Sequence, residues 1–115
     1  MVRRKEECKF SVREAMRGGP GQVEQTECVF KDEMYEKARL FGVLTLKENC
    51  GIGYHVHENE SELFYVISGT VTYNDNGTET ELSAGDVAVC KDGEGHAVTN
   101  KNAEPAQIMA AIILK

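Results

Sequence analysis

From residue 21 onward, short apolar or mixed runs alternate with polar, glycine-bearing separators. "GQVEQTECVF" (21–30) alternates loosely, whereas "RLFGVLTL" (39–46) is apolar on both faces, as expected of a strand buried between two layers. After Gly53 the runs come quickly: "GYHVH", "ELFYVI", "TVTY", "TETEL", "DVAVC", "HAVTN" and "AQIMAAIIL". Each is short enough for one strand. Their separators carry turn chemistry. In "NDNG" (74–77), Asn and Gly tolerate the positive φ of a tight hairpin, and "SAGD" and "KDGEG" punctuate the rest. Many short strands at close intervals predict an all-β chain folded as an antiparallel sandwich or barrel. "KDEMYEKA" (31–38) predicts a turn or one short helix, and no repeat or low-complexity segment interrupts the pattern.

The N-terminal "FSVREAMRGGPGQ" differs in texture. Residues 10–17 predict a short strand or helical turn, and "GGPG" (18–21) a loop. A plain connector is the first expectation for that loop; the alternative is a mobile cover, with Arg17 beside it, over a ligand pocket.

Length and charge narrow the function classes. A chain of 115 residues makes one ordinary domain with room for one site. Its net charge of -6, without any cluster of lysines and arginines, disfavours a nucleic-acid partner. No apolar run approaches the ~20 residues a membrane helix needs, and "MVRRKEECKF" turns polar where a signal peptide would become hydrophobic. The expectation is a cytoplasmic protein with a small-molecule ligand and no membrane or nucleic-acid partner. Cys8, Cys28, Cys50 and Cys90 are widely spaced without a CxxC, so reduced thiols are expected.

The candidate chemistry lies in "GYHVHENESELFYVISG" (53–69). His55 and His57 are two apart and project from the same face of a strand, so both imidazoles can point at one ion. If "ENES" (58–61) is a four-residue hairpin loop, Glu62 falls directly across from His57 and joins the histidines. Glu58 and Glu60 then sit solvated in the turn, although another turn length brings Glu60 into contention. His96 begins a later strand able to face the same interior, and the chain contains only these 3 histidines.

These residues resemble the two motifs of the cupins. His55, His57, Glu62 and Gly69 match the first, and Gly85, Gly93, His96 and Asn100 the second, at the family spacing and in the family order. Two turn positions depart from the pattern, Lys91 and Asn49, and neither is a candidate ligand.

The resemblance implies a double-stranded β-helix, the jelly-roll barrel of two antiparallel sheets, with residues 38–115 forming the barrel. Residues 1–37 are expected to add strands and a loop packed on it, all in one domain. It also implies that His55, His57, Glu62 and His96 bind a divalent transition metal inside. Imidazole and carboxylate suit Mn, Fe, Co, Ni, Cu or Zn. An octahedral ion would keep positions open for a small ligand, and one carboxylate leaves a net positive site that favours an anionic chelator.

Asn100 is expected to bond backbone. Phe41, Val43, Phe64, Val66, Val87, Val89, Ile108 and Met109 are expected to include residues lining the barrel. No motif places a catalytic acid or base: Tyr54, Tyr65, Tyr73, Arg39, Lys47 and Glu27 are available, and strand alternation turns Tyr54 and Tyr65 away from the metal face. Two functions follow. One is a metal-dependent oxygenase, decarboxylase or isomerase acting on a small anionic molecule; the alternative is a non-catalytic ligand- or metal-binding module. The two-faced "RLFGVLTL", and the habit of the family, predict a homodimer.

Overall fold

The computed structural model describes residues 1–115. It contains no α-helix and ten strands: β1 (Lys9–Glu14), β2 (Gln22–Glu27), β3 (Ala38–Leu46), β4 (Cys50–Val56), β5 (Glu60–Ser68), β6 (Thr70–Asp75), β7 (Thr78–Ser83), β8 (Val87–Cys90), β9 (Gly95–Asn100) and β10 (Ala106–Leu114). One sheet has the order β1-β2-β3-β10-β5-β8 and the other β4-β9-β6-β7. Every pairing is antiparallel. The two sheets form the all-β jelly-roll barrel expected from the sequence.

Alternation decides which face of each strand is buried. In β3, Leu40, Leu44 and Leu46 point inward, and they meet Val66, Phe64, Ile108, Val71 and Val98 in one continuous core. Phe41, Val87 and Val89 point outward, 40%, 61% and 46% exposed, and Val43 and Met109 lie beside them on the same outer face. Of the residues expected to line the barrel, only Phe64, Val66 and Ile108 are in the core. The rest sit one position out of phase, which composition alone cannot distinguish on a strand apolar on both faces.

Turns follow their sequence signals. Asn76 and Gly77 take φ of 52° and 99° and close the β6–β7 hairpin with Asp75 paired to Thr78. "KDEM" (31–34) makes one 3₁₀ turn. Asn100 is fully buried and fastens three backbone groups: its Nδ2 donates to the carbonyls of Leu46 and Glu104, both at 2.8 Å, and its Oδ1 accepts from the amide of Asn102 at 2.9 Å. That pins β9 to the ends of β3 and the 101–105 turn.

The loop after β1 is strapped to the barrel. Pro20 accepts a backbone hydrogen bond from the amide of Gly51 at 2.9 Å. Gly19 packs so closely on Gly51, Ile52 and Gly53 that a Cβ there would strike backbone atoms, and a Cβ on Gly53 would strike the carbonyl of Arg17. Glycine at these positions is what lets two backbones touch.

Candidate metal centre

β4 carries the first two histidines, and a bulge aims them. Ile52 pairs with Val98 and His55 with His96, so Gly53 and Tyr54 together stand opposite the single residue Ala97. The extra residue reverses the alternation. Ile52 and His57 are buried, 4% and 2% exposed, while Tyr54 and Val56 are 50% and 49% exposed. Without the bulge, Ile52 and His55 would face opposite sides. His55 and His96, directly opposed on neighbouring strands, share the inner face.

Glu62 arrives from the other sheet. β4 and β5 are not a hairpin: β4 pairs with β9, and β5 pairs with β10 and β8. The chain crosses between sheets at residues 57–59, with Asn59 at φ 61°, and Glu62 then points across the barrel at the histidines. The expected cross-strand pairing of 57 with 62 is therefore corrected. The two meet because the sheets face each other.

The donors converge closely. Nε2 of His57 lies 3.1 Å from Oε1 of Glu62 and 3.1 Å from Nε2 of His96, and Nε2 of His96 lies 3.0 Å from the same carboxylate oxygen. The ring of His55 is centred 4.8 Å from each of the other two. One ligand atom from each of His55, His57, Glu62 and His96 falls within 4.8 Å of all the others. Metal–nitrogen bonds of about 2.1 Å at right angles put neighbouring donors about 3 Å apart, the spacing of the 57–62–96 triangle. The group is able to hold a divalent metal.

The opposite ring nitrogens are all engaged. Nδ1 of His55 donates to the carbonyl of Gly53 at 2.8 Å and Nδ1 of His57 to Glu60 at 2.5 Å, while Nδ1 of His96 shares a hydrogen bond of 2.9 Å with the hydroxyl of Tyr73. With each Nδ1 engaged outward, Nε2 is the ring nitrogen left to face the centre. Phe64 stacks on His96, its ring centroid 5.2 Å away, and closes the apolar side.

Glu60 is not solvated in a turn. It opens β5, and Arg39 grips its carboxylate at 2.7 Å through both Nε and Nη2. Arg39 stands in a second bulge, between the pairs Leu40–Ile112 and Ala38–Ile113. This Arg39–Glu60–His57 chain is legible only after the sheets are assembled, because Glu60 in "ENES" carries no motif. Tyr54 and Tyr65 face outward as alternation predicts. Tyr73 is buried beside His96, and Lys47 pairs with Glu24 at the surface, 3.5 Å away.

Charge follows this geometry. The bond from Arg39 holds Glu60 at about 2. Burial pushes Glu62 up, but hydrogen bonds with His57 and His96 outweigh it and hold the carboxyl below its ordinary value. Hydrogen bonding to Glu62, with Glu60 adding to it against burial, raises His57. His55 is lowered, chiefly by burial, with the charges of His96, His57 and Arg17 adding to it against the hydrogen bond to Gly53.

A cavity of about 510 Å³ opens from this centre. His55, His57 and Glu62 form its floor, Leu40, Leu44, Ile52 and Ile112 its apolar wall, and Arg13, Arg17 and Gln25 come from β1, the strapped loop and β2. Only Arg17 among these last three was singled out by the sequence; Arg13 and Gln25 enter through the register of β1 on β2.

A family model described as "Cupin domain" matches residues 42–112. An "Oxalate-binding protein" of Thermotoga maritima is 38% identical over 99 residues, spanning 86% of this chain and 82% of that protein. A crystal structure described as a predicted oxalate decarboxylase from Thermotoga maritima superposes with a TM-score of 0.95 at 36% identity, over 100% of both chains. KdgF from Halomonas sp., at 13% identity, shares the fold with a TM-score of 0.75 over 97% of this chain and 93% of that one. With more than half of its length matched by the family model and its whole length by a relative's structure, the chain belongs to the cupin family.

Proposed function

We propose that the protein binds a divalent transition metal through His55, His57, Glu62 and His96, and on it a small dicarboxylate of which oxalate is the simplest. The observation that carries this reading is the convergence of three Nε2 atoms and one carboxylate, all within 4.8 Å, on the floor of a cavity that also holds uncommitted guanidinium groups. A bound divalent ion would supply Lewis acidity and vacant coordination positions for an anionic chelator. Around it, Glu60 and Tyr73 orient the imidazoles, Arg39 holds Glu60 in place, and Phe64 and Leu44 exclude water. The names of the relatives at 38% and 36% identity support oxalate as the test compound.

The experiment is metal analysis of protein purified without chelator, followed by calorimetry with oxalate before and after removal of the metal. The reading expects about one metal per chain and oxalate binding only when metal is present. Oxalate binding undiminished in metal-free protein would overturn it. Turnover is a second reading, supported by the decarboxylase description of the relative at 36% identity and by two carboxyl groups, Glu14 and Glu27, along the cavity. Carbon dioxide release from oxalate by the metal-loaded protein separates an enzyme from a binding module.

The homodimer belongs to this reading too. The outer face of the larger sheet carries two apolar rungs in register, Phe41–Ala111–Leu63–Val89 and Val43–Met109–Tyr65–Val87. Neither rung contains a charge. A second copy related by a twofold axis presents the same face and covers it. A cytoplasmic location accords with four free cysteines.

A further inference from the structure

Arg17 sits where no motif would place a ligand group, yet the fold spends several devices on holding it. It lies in a left-handed conformation, φ 52°, as does Ala15 at φ 48°, and such backbone persists in non-glycine residues only where the surroundings over-determine it. The over-determination is visible. The amide of Ala15 donates to the carbonyl of Gly21 at 3.0 Å and that of Gly51 to Pro20 at 2.9 Å, while the carbonyl of Arg17 presses on Gly53 where no Cβ fits. The loop is thereby fixed to β4, the strand that carries His55.

The side chain has no internal use. Arg3, Arg39, Lys9, Lys47 and Lys115 each pair with a carboxylate, and Arg17 is absent from every ion pair of the molecule. It lines the same cavity as His55, His57 and Glu62, together with Arg13. Neither carboxylate on that wall pairs with Arg17: Glu14 accepts from Nε2 of Gln22 at 2.9 Å, and Glu27 faces Nζ of Lys9 at 3.8 Å. A free guanidinium beside a metal-binding floor is a fork for a second carboxylate or phosphate.

Cavity size points the same way. At about 510 Å³, it lies within the roughly 300–1,000 Å³ of sites that bury ligands of drug size. A two-carbon acid on the metal would leave much of that space, including the arginine wall, to water.

We propose that Arg17 is a specificity-determining residue that receives a distal anionic group, so that the ligand is a small acid of several carbons with a metal-chelating head and a second anion at its far end. This rests on the metal-bound dicarboxylate reading given above and names its ligand class more closely.

The test compares two compounds that differ only at the far end. 2-Oxoglutarate and 2-oxopentanoate share a 2-oxo acid head and chain length, and only the first carries a distal carboxylate. Calorimetry on protein loaded with Ni²⁺ is expected to show 2-oxoglutarate binding roughly 10- to 100-fold more tightly, the worth of one charge-assisted pair. Arg17→Gln should abolish that preference and leave the affinities for 2-oxopentanoate and oxalate unchanged; Arg17→Lys should retain part of it. 2-Oxo-4-phosphonobutanoate in place of 2-oxoglutarate distinguishes a phosphate-type from a carboxylate-type far end at the same chain length. Equal binding of the two oxo acids, or a preference that survives in Arg17→Gln, overturns the proposal while oxalate and metal binding stand. Failure of the protein to take up Ni²⁺ removes the proposal together with the reading beneath it.

Discussion

His57 and Glu60 are joined by a hydrogen bond of 2.5 Å from Nδ1 to the carboxylate, and Arg39 grips the same carboxylate with two bonds of 2.7 Å, one to each oxygen. The pair fixes the tautomer of His57 from outside the proposed ligand set. Glu60→Gln keeps the shape but removes the charge that favours the outward proton. It is expected to weaken metal affinity roughly 10- to 100-fold, measured by competition with a chromophoric chelator. Unchanged affinity would mean that Glu60 only decorates the rim.

On the proposed reading metal and proton compete at His57, and the sign of the pH dependence follows. Hydrogen bonding raises His57 above its ordinary value, so in metal-free protein it is still protonated somewhat above pH ~6.5. Its proton stabilises the metal-free fold fully below the unfolded-state value, and that contribution is lost as pH rises through the raised folded-state value. His55, lowered mainly by burial, contributes less to that competition. The increase in melting temperature on adding metal should therefore be small near pH 6 and grow toward pH 8. Scanning calorimetry that finds the same increase at both pH values would refute this competition.

The strap between the N-terminal loop and β4 depends on Gly53. Gly53→Ala drives a Cβ into the carbonyl of Arg17, and overpacking of this kind costs about 1–3 kcal/mol. Urea unfolding should show that loss, accompanied by weaker binding of any ligand that reaches Arg17. An unchanged midpoint would show that the loop yields freely.

Much of this was legible in the chain, for reasons that differ residue by residue. The strands and the Asn76–Gly77 turn were readable because alternation and turn chemistry are local. That His55 and His57 share a face also follows from local spacing. What spacing could not reveal is the bulge at Gly53–Tyr54, which puts that face inward. Glu62 was singled out through a hairpin that does not exist; its place in the group comes from the packing of one sheet on the other. Glu60 was read as solvent-facing because its partner Arg39 is 21 residues away in sequence. Phe41, Val87 and Val89 look like core on strands apolar on both faces, and only the register with β10 and β5 turns them outward.

Those outward residues make their own prediction. Leu63→Glu and Tyr65→Glu place charges in the two apolar rungs of the larger sheet. Sedimentation equilibrium should find a dimer for the parent protein and a monomer for the double variant, with metal content unaltered. A parent protein that is monomeric at micromolar concentration would leave the outer face without the second copy assigned to it.

The most direct measurement is an anomalous difference map from crystals of protein purified without chelator, collected on either side of the absorption edge of the metal found in it. The metal-centre reading predicts one strong peak in each chain, about 2.0–2.2 Å from Nε2 of His55, His57 and His96 and from a carboxylate oxygen of Glu62. A chain without that peak, or one whose metal lies away from these four residues, would contradict it.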